Sequence, residues 1–555
     1  MATSNNEATP SNPVTPTPAG PNALRERAAE FLAAHGEISY TYEEERAVLR
    51  RINWRVLPIL LGSYFFQQLD KSSLSYVSIF GIIEDANLVG RQYSWLSSIL
   101  YFAQLVWQPA AAFILVKLPY GKVIAGAVFL WGVSQAIMAA PTNFAGLLGM
   151  RFCLGTFEAM IAPSCVAVTQ MWWRRQEQTM VTSAWSAMNG LTFIIGSLAT
   201  YGLGHIKSDS LYRYQVIFLF CGLLTIVWAV IVLILMPDSP METKYLKQRE
   251  KLIAVERLRA NQMGVASRQW RWDHAIETLL DVKTWCWSML ILAISIASGG
   301  IGTFGNLIVR SFGYSEFQTI LFNIPFGVIQ IIAIMGTGWI ATRFQRKGLV
   351  IAGTAVLPII GSVLMLTVPR EQKAVLLFGY YLVSCMAAIT PLVYSWQAQN
   401  TAGDTKKKTT SGMVFAFMCV GNIVGMGIAP EKADHPNSML TDTGPLIYQP
   451  SDAPLYRPGL ISNLIMFVLV AALGITIPFY LMFLNRRHAK RREELGKNAV
   501  VVDESMMRNR NMEQSKAVDI ELEEDGQQRQ QRTLQEDNAL HDMTDLKNED
   551  FIYVY

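Results

Sequence analysis

Long apolar stretches recur along this chain, each about 20 residues and separated by short polar turns. As helix, such a stretch crosses a hydrocarbon core of ~30 Å. The pattern predicts twelve spans: 55–80, 92–116, 121–140, 144–171, 179–203, 214–236, 285–309, 316–341, 348–368, 374–396, 410–429 and 459–484. They fall six and six around a polar segment, so the chain reads as an all-α membrane protein built of two six-helix bundles. Residues 1–40 read as a disordered tail without the basic region and apolar core of a signal peptide. Residues 41–236 form the N-terminal bundle, 237–282 a linker with a charged amphipathic helix near 247–259, and 283–485 the C-terminal bundle. Residues 486–555 are polar, almost without aromatics until Phe551, and read as a disordered tail.

Composition agrees with this picture. Only 16% of residues are charged, against about 25% in soluble proteins. The basic residues gather on one side of the predicted spans: Arg46, Arg50, Arg51 and Arg55, then Arg174 and Arg175, Arg343, Arg346 and Lys347, Lys406-Lys407-Lys408, and Arg486 to Arg492. Glu84 and Asp85 fall on the other side. Cytoplasmic loops collect Lys and Arg, so both termini are expected in the cytoplasm. No basic stretch interleaved with aromatics suggests nucleic-acid binding. No Gly-x4-Gly-Lys-Ser/Thr loop or intramembrane hydrolase motif appears, which argues against ATP drive and against an enzyme. The six cysteines lie in apolar spans and read as packing residues; no metal or cofactor is expected.

Charge inside the spans carries the chemistry. In span 1, Gln67-Gln68-Leu69-Asp70-Lys71-Ser72-Ser73 interrupts an apolar helix. Adjacent helical positions point about 100° apart, so Asp70 and Lys71 face different neighbours and one of them faces a central cavity. In span 4, Arg151 and Glu158 lie seven residues apart, on one helix face and about 10 Å apart axially. Each needs a partner on another helix or in water. Buried charge costs roughly 2.5–3.5 kcal/mol per group on insertion scales and marks transport or proton chemistry. Asp70 and Glu158 are therefore candidate proton-coupling groups, and Lys71 and Arg151 candidate binding groups for an anion. Among lone polar residues, Asn189 and Asn422 sit mid-span beside glycine, where a cavity opens easily. Tyr101 and Trp107 are candidates to line it.

Twelve spans in two halves is the layout of the major facilitator superfamily, whose bundles rock about a site near the midplane. Within it the chain resembles the anion:cation symporters of the fungal allantoate-permease-like group. Leu69-Asp70-Lys71, Arg151-Phe-Cys-Leu-Gly-Thr-Phe-Glu158-Ala-Met-Ile-Ala-Pro163 and Met236-Pro-Asp-Ser-Pro240 carry the resemblance. So do Glu256 to Gly264, Asn400-Thr-Ala-Gly403-Asp-Thr-Lys406-Lys407 and Ala453-Pro454-Leu-Tyr456-Arg-Pro-Gly459. The resemblance implies a monomeric, proton-coupled importer, in the plasma membrane, of a small organic anion such as allantoate, ureidosuccinate, nicotinate or a related vitamin. It implies proton carriage by Asp70 and Glu158, carboxylate binding or gating by Lys71 and Arg151, and substrate contact by Asn422. Lys71 stands where an Arg is usual, which keeps the charge and loses the bidentate fork. A passive facilitator or exchanger, or a nutrient-sensing receptor on the same fold, remains as an alternative.

Overall fold

The computed structural model describes residues 40–89, 92–206, 211–259, 270–425, 457–497 and 543–555. The expected tail at 1–39, the segment 260–269, the loop carrying Ala453-Pro454 and residues 498–542 lie outside the described residues.

Twelve helical rods form the body. They are span 1 (Leu57–Val77), span 2 (Gln92–Lys117), span 3 (Tyr120–Ile137), span 4 (Phe144–Trp172), span 5 (175–204) and span 6 (Arg213–Leu235). The second half holds span 7 (Val282–Ser311), span 8 (316–344), span 9 (Lys347–Thr367), span 10 (Lys373–Gln399), span 11 (Asp404–Gly425) and span 12 (Arg457–Glu494). Among the described residues, nine helices are long and apolar enough to cross a membrane by composition. Spans 1, 5 and 11 stand outside that set, and these polar rods surround the candidate site.

Several rods are broken, and three breaks have a local cause. A proline lacks the amide that would bond the carbonyl four residues earlier. Pro163, Pro325 and Pro391 therefore release the carbonyls of Ala159, Leu321 and Ala387. Span 4 breaks between Glu158 and Ile161, span 8 between Leu321 and Asn323, and span 10 passes through a 3-10 turn at Cys385–Ala388. The freed Ala159 carbonyl accepts from Nε2 of Gln108 in span 2 at 3.4 Å. Glu158 thus ends a helical segment and is held beside span 2.

The two bundles meet along spans 5 and 8, where Gly190 and Gly327 touch backbone to backbone. A Cβ on either glycine would lie 2.3 Å from the other's carbonyl oxygen. On the face bearing the basic loops, the amphipathic helix Tyr42–Arg55, capped by Thr41 and Glu44, packs with the linker helix Gln248–Arg259. Glu45 lies 3.3 Å from both Arg174 and Arg257, and Arg257 reaches Glu177 at 2.5 Å. The linker also holds a second helix, Trp272–Leu280, which the sequence pattern did not predict.

The expected disorder of 486–555 is corrected at both ends. Span 12 continues as helix to Glu494, and residues 543–555 lie packed on the basic face, with Thr544 and Asp545 fully buried. Average polarity over the segment conceals Phe551-Ile-Tyr-Val-Tyr555, in which Phe551, Tyr553 and Val554 are buried.

Candidate functional site

Span 1 sends its two adjacent charges in different directions. Asp70 turns inward within the N-terminal bundle. Its Oδ2 accepts from Nε1 of Trp131 in span 3 and from Oγ1 of Thr225 in span 6, the latter at 3.1 Å. Its Oδ1 is buried and has no hydrogen-bond partner among the described residues. Lys71 instead reaches span 4, where its ammonium lies 2.9 Å from Oε1 of Glu158. The same ammonium sits 5.6 Å from the ring centre of Tyr101 in span 2.

Span 4 reaches this position because Gly155 lets it touch span 2. A Cβ there would stand 2.3 Å from the Leu100 carbonyl oxygen. Gly155 lies between Arg151 and Glu158, so the close approach fixes both. Arg151 is buried, its guanidinium 5.7 Å from the ring centre of Phe218. Nε and Nη2 of Arg151 have no hydrogen-bond partner among the described residues. The pair Lys71–Glu158 is unevenly covered: 16% of the Lys71 side chain is exposed against 1% for Glu158. Of the two, the ammonium is the less covered.

Both bundles close around this pair. Tyr64, seven residues before Lys71, packs on Trp185 of span 5 at 4.8 Å between ring centres. Trp185 stacks on Tyr394 of span 10 at 6.4 Å, and Tyr394 meets Phe415 of span 11 at 4.8 Å. Asn189 sits at this collar, its side chain interacting with the Tyr64 hydroxyl. Four residues beyond Lys71, the Ser75 hydroxyl accepts from Nδ2 of Asn306 in span 7 at 3.1 Å. Beyond that, Phe80 meets Phe317 of span 8 at 5.9 Å. Bundle-to-bundle contacts therefore lie on both sides of the ion pair.

The structure brings Lys71, Glu158 and Tyr101 together, with Arg151 two turns along the same helix. It sets Asp70 apart, behind them. Asn422 donates to the Met418 carbonyl of its own helix at 2.9 Å and packs on Gly299 of span 7. Its neighbour one turn earlier, Cys419, faces span 2, 3.7 Å from Oε1 of Gln104. Trp107 is 41% exposed. Sequence reasoning missed Trp131 and Thr225. Both lie in apolar runs, and nothing in their spacing points to Asp70.

A family model described as the major facilitator superfamily matches residues 60–426. The chain belongs to that superfamily, whose members are membrane transporters rather than enzymes. It is 33% identical over 462 residues to an uncharacterized transporter of Schizosaccharomyces pombe, covering 83% of this chain and 84% of that one. It is 28% identical to the allantoate permease of Saccharomyces cerevisiae, covering 83% and 82%. A thiamine pathway transporter of the same yeast is 25% identical, covering 93% and 87%. Among solved structures, the transporter FucP in its outward conformation is similar with a TM-score of 0.51 at 16% identity, covering 75% of this chain and 97% of that one. A bacterial homolog of the lysosomal transporter Spinster, inward-facing and occupied, gives 0.51 at 13% identity, covering 76% and 95%. These two likenesses concern the fold alone.

Proposed function

We propose that this transporter imports a small organic carboxylate together with a proton, across the plasma membrane and as a monomer with its basic face in the cytoplasm. One observation carries the reading: a buried Lys–Glu ion pair of the N-terminal bundle lies at a level flanked by bundle-to-bundle contacts, and its ammonium is less covered than its carboxylate. In the resting site the two charges cancel. An entering carboxylate takes the Lys71 ammonium from Glu158, and the displaced carboxylate accepts a proton on Oε1. The site then holds Lys71 as cation, substrate as anion and Glu158 neutral, so its net charge is unchanged. Buried charge that stays balanced escapes the desolvation penalty of an unpaired ion. The translocated pair is neutral for a monocarboxylate, so an inside-negative potential, worth ~2.3 kcal/mol per charge per 100 mV, does not oppose entry.

Asp70 supplies a second proton site in this reading. Its Oδ2 takes two donors while Oδ1 takes none, an asymmetry that suits a neutral carboxyl better than a buried carboxylate. Arg151, with two guanidinium nitrogens that have no hydrogen-bond partner among the described residues, is the second anion-binding group, and Tyr101, Asn189 and Asn422 shape the chamber. The likeness to an allantoate permease directs the substrate search toward ureido acids and carboxylate vitamins.

Uptake of a panel of radiolabelled carboxylates into proteoliposomes, with and without an imposed pH gradient, tests this. The expected result is uphill accumulation that a protonophore abolishes. With Glu158→Gln, uphill accumulation stops while exchange of internal for external substrate continues. Accumulation indifferent to the protonophore overturns proton coupling and leaves a facilitator or exchanger.

A further inference from the structure

Residues 543–555 are seated on the basic face: 544–551 fold through turns, and the backbone of the last residues is bonded by side chains of the helical body. Nδ2 of Asn400 donates to the Val554 carbonyl at 2.9 Å, and the Val554 amide returns to Oδ1 of Asn400 at 2.7 Å. Nε1 of Trp396 donates to the same carbonyl at 2.8 Å. Asn485 treats Tyr553 likewise, donating to its carbonyl and accepting from its amide, both at 2.8 Å. Asn400 and Trp396 are fully buried, so these groups are committed to the peptide rather than to solvent.

A charged anchor fixes the other end. Asp545 Oδ2 lies 2.5 Å from Nζ of Lys283 and its Oδ1 lies 3.2 Å from Nζ of Lys406. The Ala402 amide donates to the same carboxylate at 3.2 Å, and the Tyr553 hydroxyl folds back onto it at 2.9 Å.

These partners belong to the C-terminal bundle, but the segment also crosses to the N-terminal one. Arg175, which opens span 5, donates to the Ile552 carbonyl at 3.0 Å and its guanidinium lies 4.7 Å from the ring centre of Phe551. Arg175 and Thr179 also bond Gln399 at the end of span 10, which draws the two bundles together at the same seam. Rocking that opens the basic face must part span 5 from span 10. A peptide bonded to both has to leave one of them first.

We propose that residues 543–555 form a detachable latch that binds across both bundles and holds the transporter closed on its basic face. The groove lined by Trp396, Asn400, Asn485, Lys283, Lys406 and Arg175 is its binding site. A closed-state clamp lowers the population open on that face by the free energy of its own docking. This rests on the transporter assignment and not on proton coupling.

The test uses no substrate, so it fails separately from the symport reading. Thr179→Cys is introduced at the seam, and its labelling by a maleimide is followed in detergent against the same chain without that change. Ending the chain at residue 542 is expected to speed labelling about tenfold, as for a shift of that size in the open population. A synthetic peptide of residues 543–555 is expected to restore the slow rate, and the same peptide with Asp545→Lys is not. Should the shortened chain not be recovered folded, full-length Asp545→Lys and Phe551→Ala variants give the same comparison. Equal labelling with the segment docked and removed, or in those two variants and the parent, overturns the proposal.

Discussion

Lys71 and Glu158 stand 87 positions apart in sequence and 2.9 Å apart in space, a cation from span 1 closed against an acid from span 4. Each is the other's charge partner, and neither is cheap to leave alone. Breaking a buried pair by removing one member costs about 3–5 kcal/mol, mainly because the other charge is stranded. Lys71→Ala and Glu158→Gln are each expected to lower the unfolding temperature in detergent. The double variant is expected to recover much of that loss, with a coupling energy of roughly 1–3 kcal/mol, as found for residues in direct contact. Additive losses in the cycle would show that the two charges do not depend on one another.

Asp70 depends on Trp131 in a different way. The indole nitrogen is one of two donors to Oδ2, so Trp131→Phe keeps an aromatic ring and leaves Oδ2 with the Thr225 hydroxyl alone. Losing one such hydrogen bond costs about 0.5–1.5 kcal/mol. Thermal unfolding of Trp131→Phe should show a loss in that range. In an Asp70→Leu background, which has no carboxyl to accept that bond, the same change should cost well under half as much. An equal cost in both backgrounds would trace the loss to packing of the ring instead.

Much of this architecture was legible in the chain. Apolar spacing marked twelve rods, and adjacency on a helix required Asp70 and Lys71 to part. The partners were not legible. That Lys71 meets Glu158 depends on how closely span 4 approaches span 2, and that distance is set by Gly155 against the Leu100 backbone. The apolar pattern starts span 5 at 179 and leaves Arg175 among the basic loops; Arg175 is helical and holds the basic seam. The tail is hard to read because composition averages over long windows. Five residues at 551–555 and one aspartate, Asp545, give the segment its docking surface, and their binding site comes from five helices, spans 5, 7, 10, 11 and 12.

Gly155 follows as a sensitive position. Any larger side chain there collides with the span 2 backbone, which cannot yield as a side chain would. Gly155→Val is expected to push span 4 outward, separate Glu158 from Lys71 and reduce uphill uptake at least tenfold, the effect of about 1.4 kcal/mol at the transport step. Gly149→Val is the control, since a Cβ at Gly149 meets nothing within 4 Å. Uptake per molecule of surface protein should fall in the first and not in the second; equal effects would mean that span 4 tolerates no bulk anywhere.

The latch has its own pH dependence, and its sign follows from Asp545. Burial by itself would raise this carboxyl, but the Lys283 and Lys406 ammonium groups, with donors from Lys283 and the Ala402 amide, hold it well below the usual carboxylate range. Asp281, Glu277, Tyr553 and His488 are charged and titratable groups around it, and burial holds the His488 imidazole below its ordinary value while Nδ1 lies 3.0 Å from the Phe551 carbonyl oxygen. A group whose value falls on docking stabilises the docked state fully above its free value, near ~4, and loses that contribution only as pH drops through the lowered one. Mild acidification therefore does not release the segment by protonating Asp545. Anisotropy of a fluorescent 543–555 peptide on the shortened chain carrying His488→Gln, which removes the imidazole that titrates near ~6.5 when free, should give an affinity that changes less than about twofold between pH 7.5 and 5.5, well above the range where a carboxyl of free value near ~4 titrates. A steep loss inside that window would assign control of docking to a group other than Asp545.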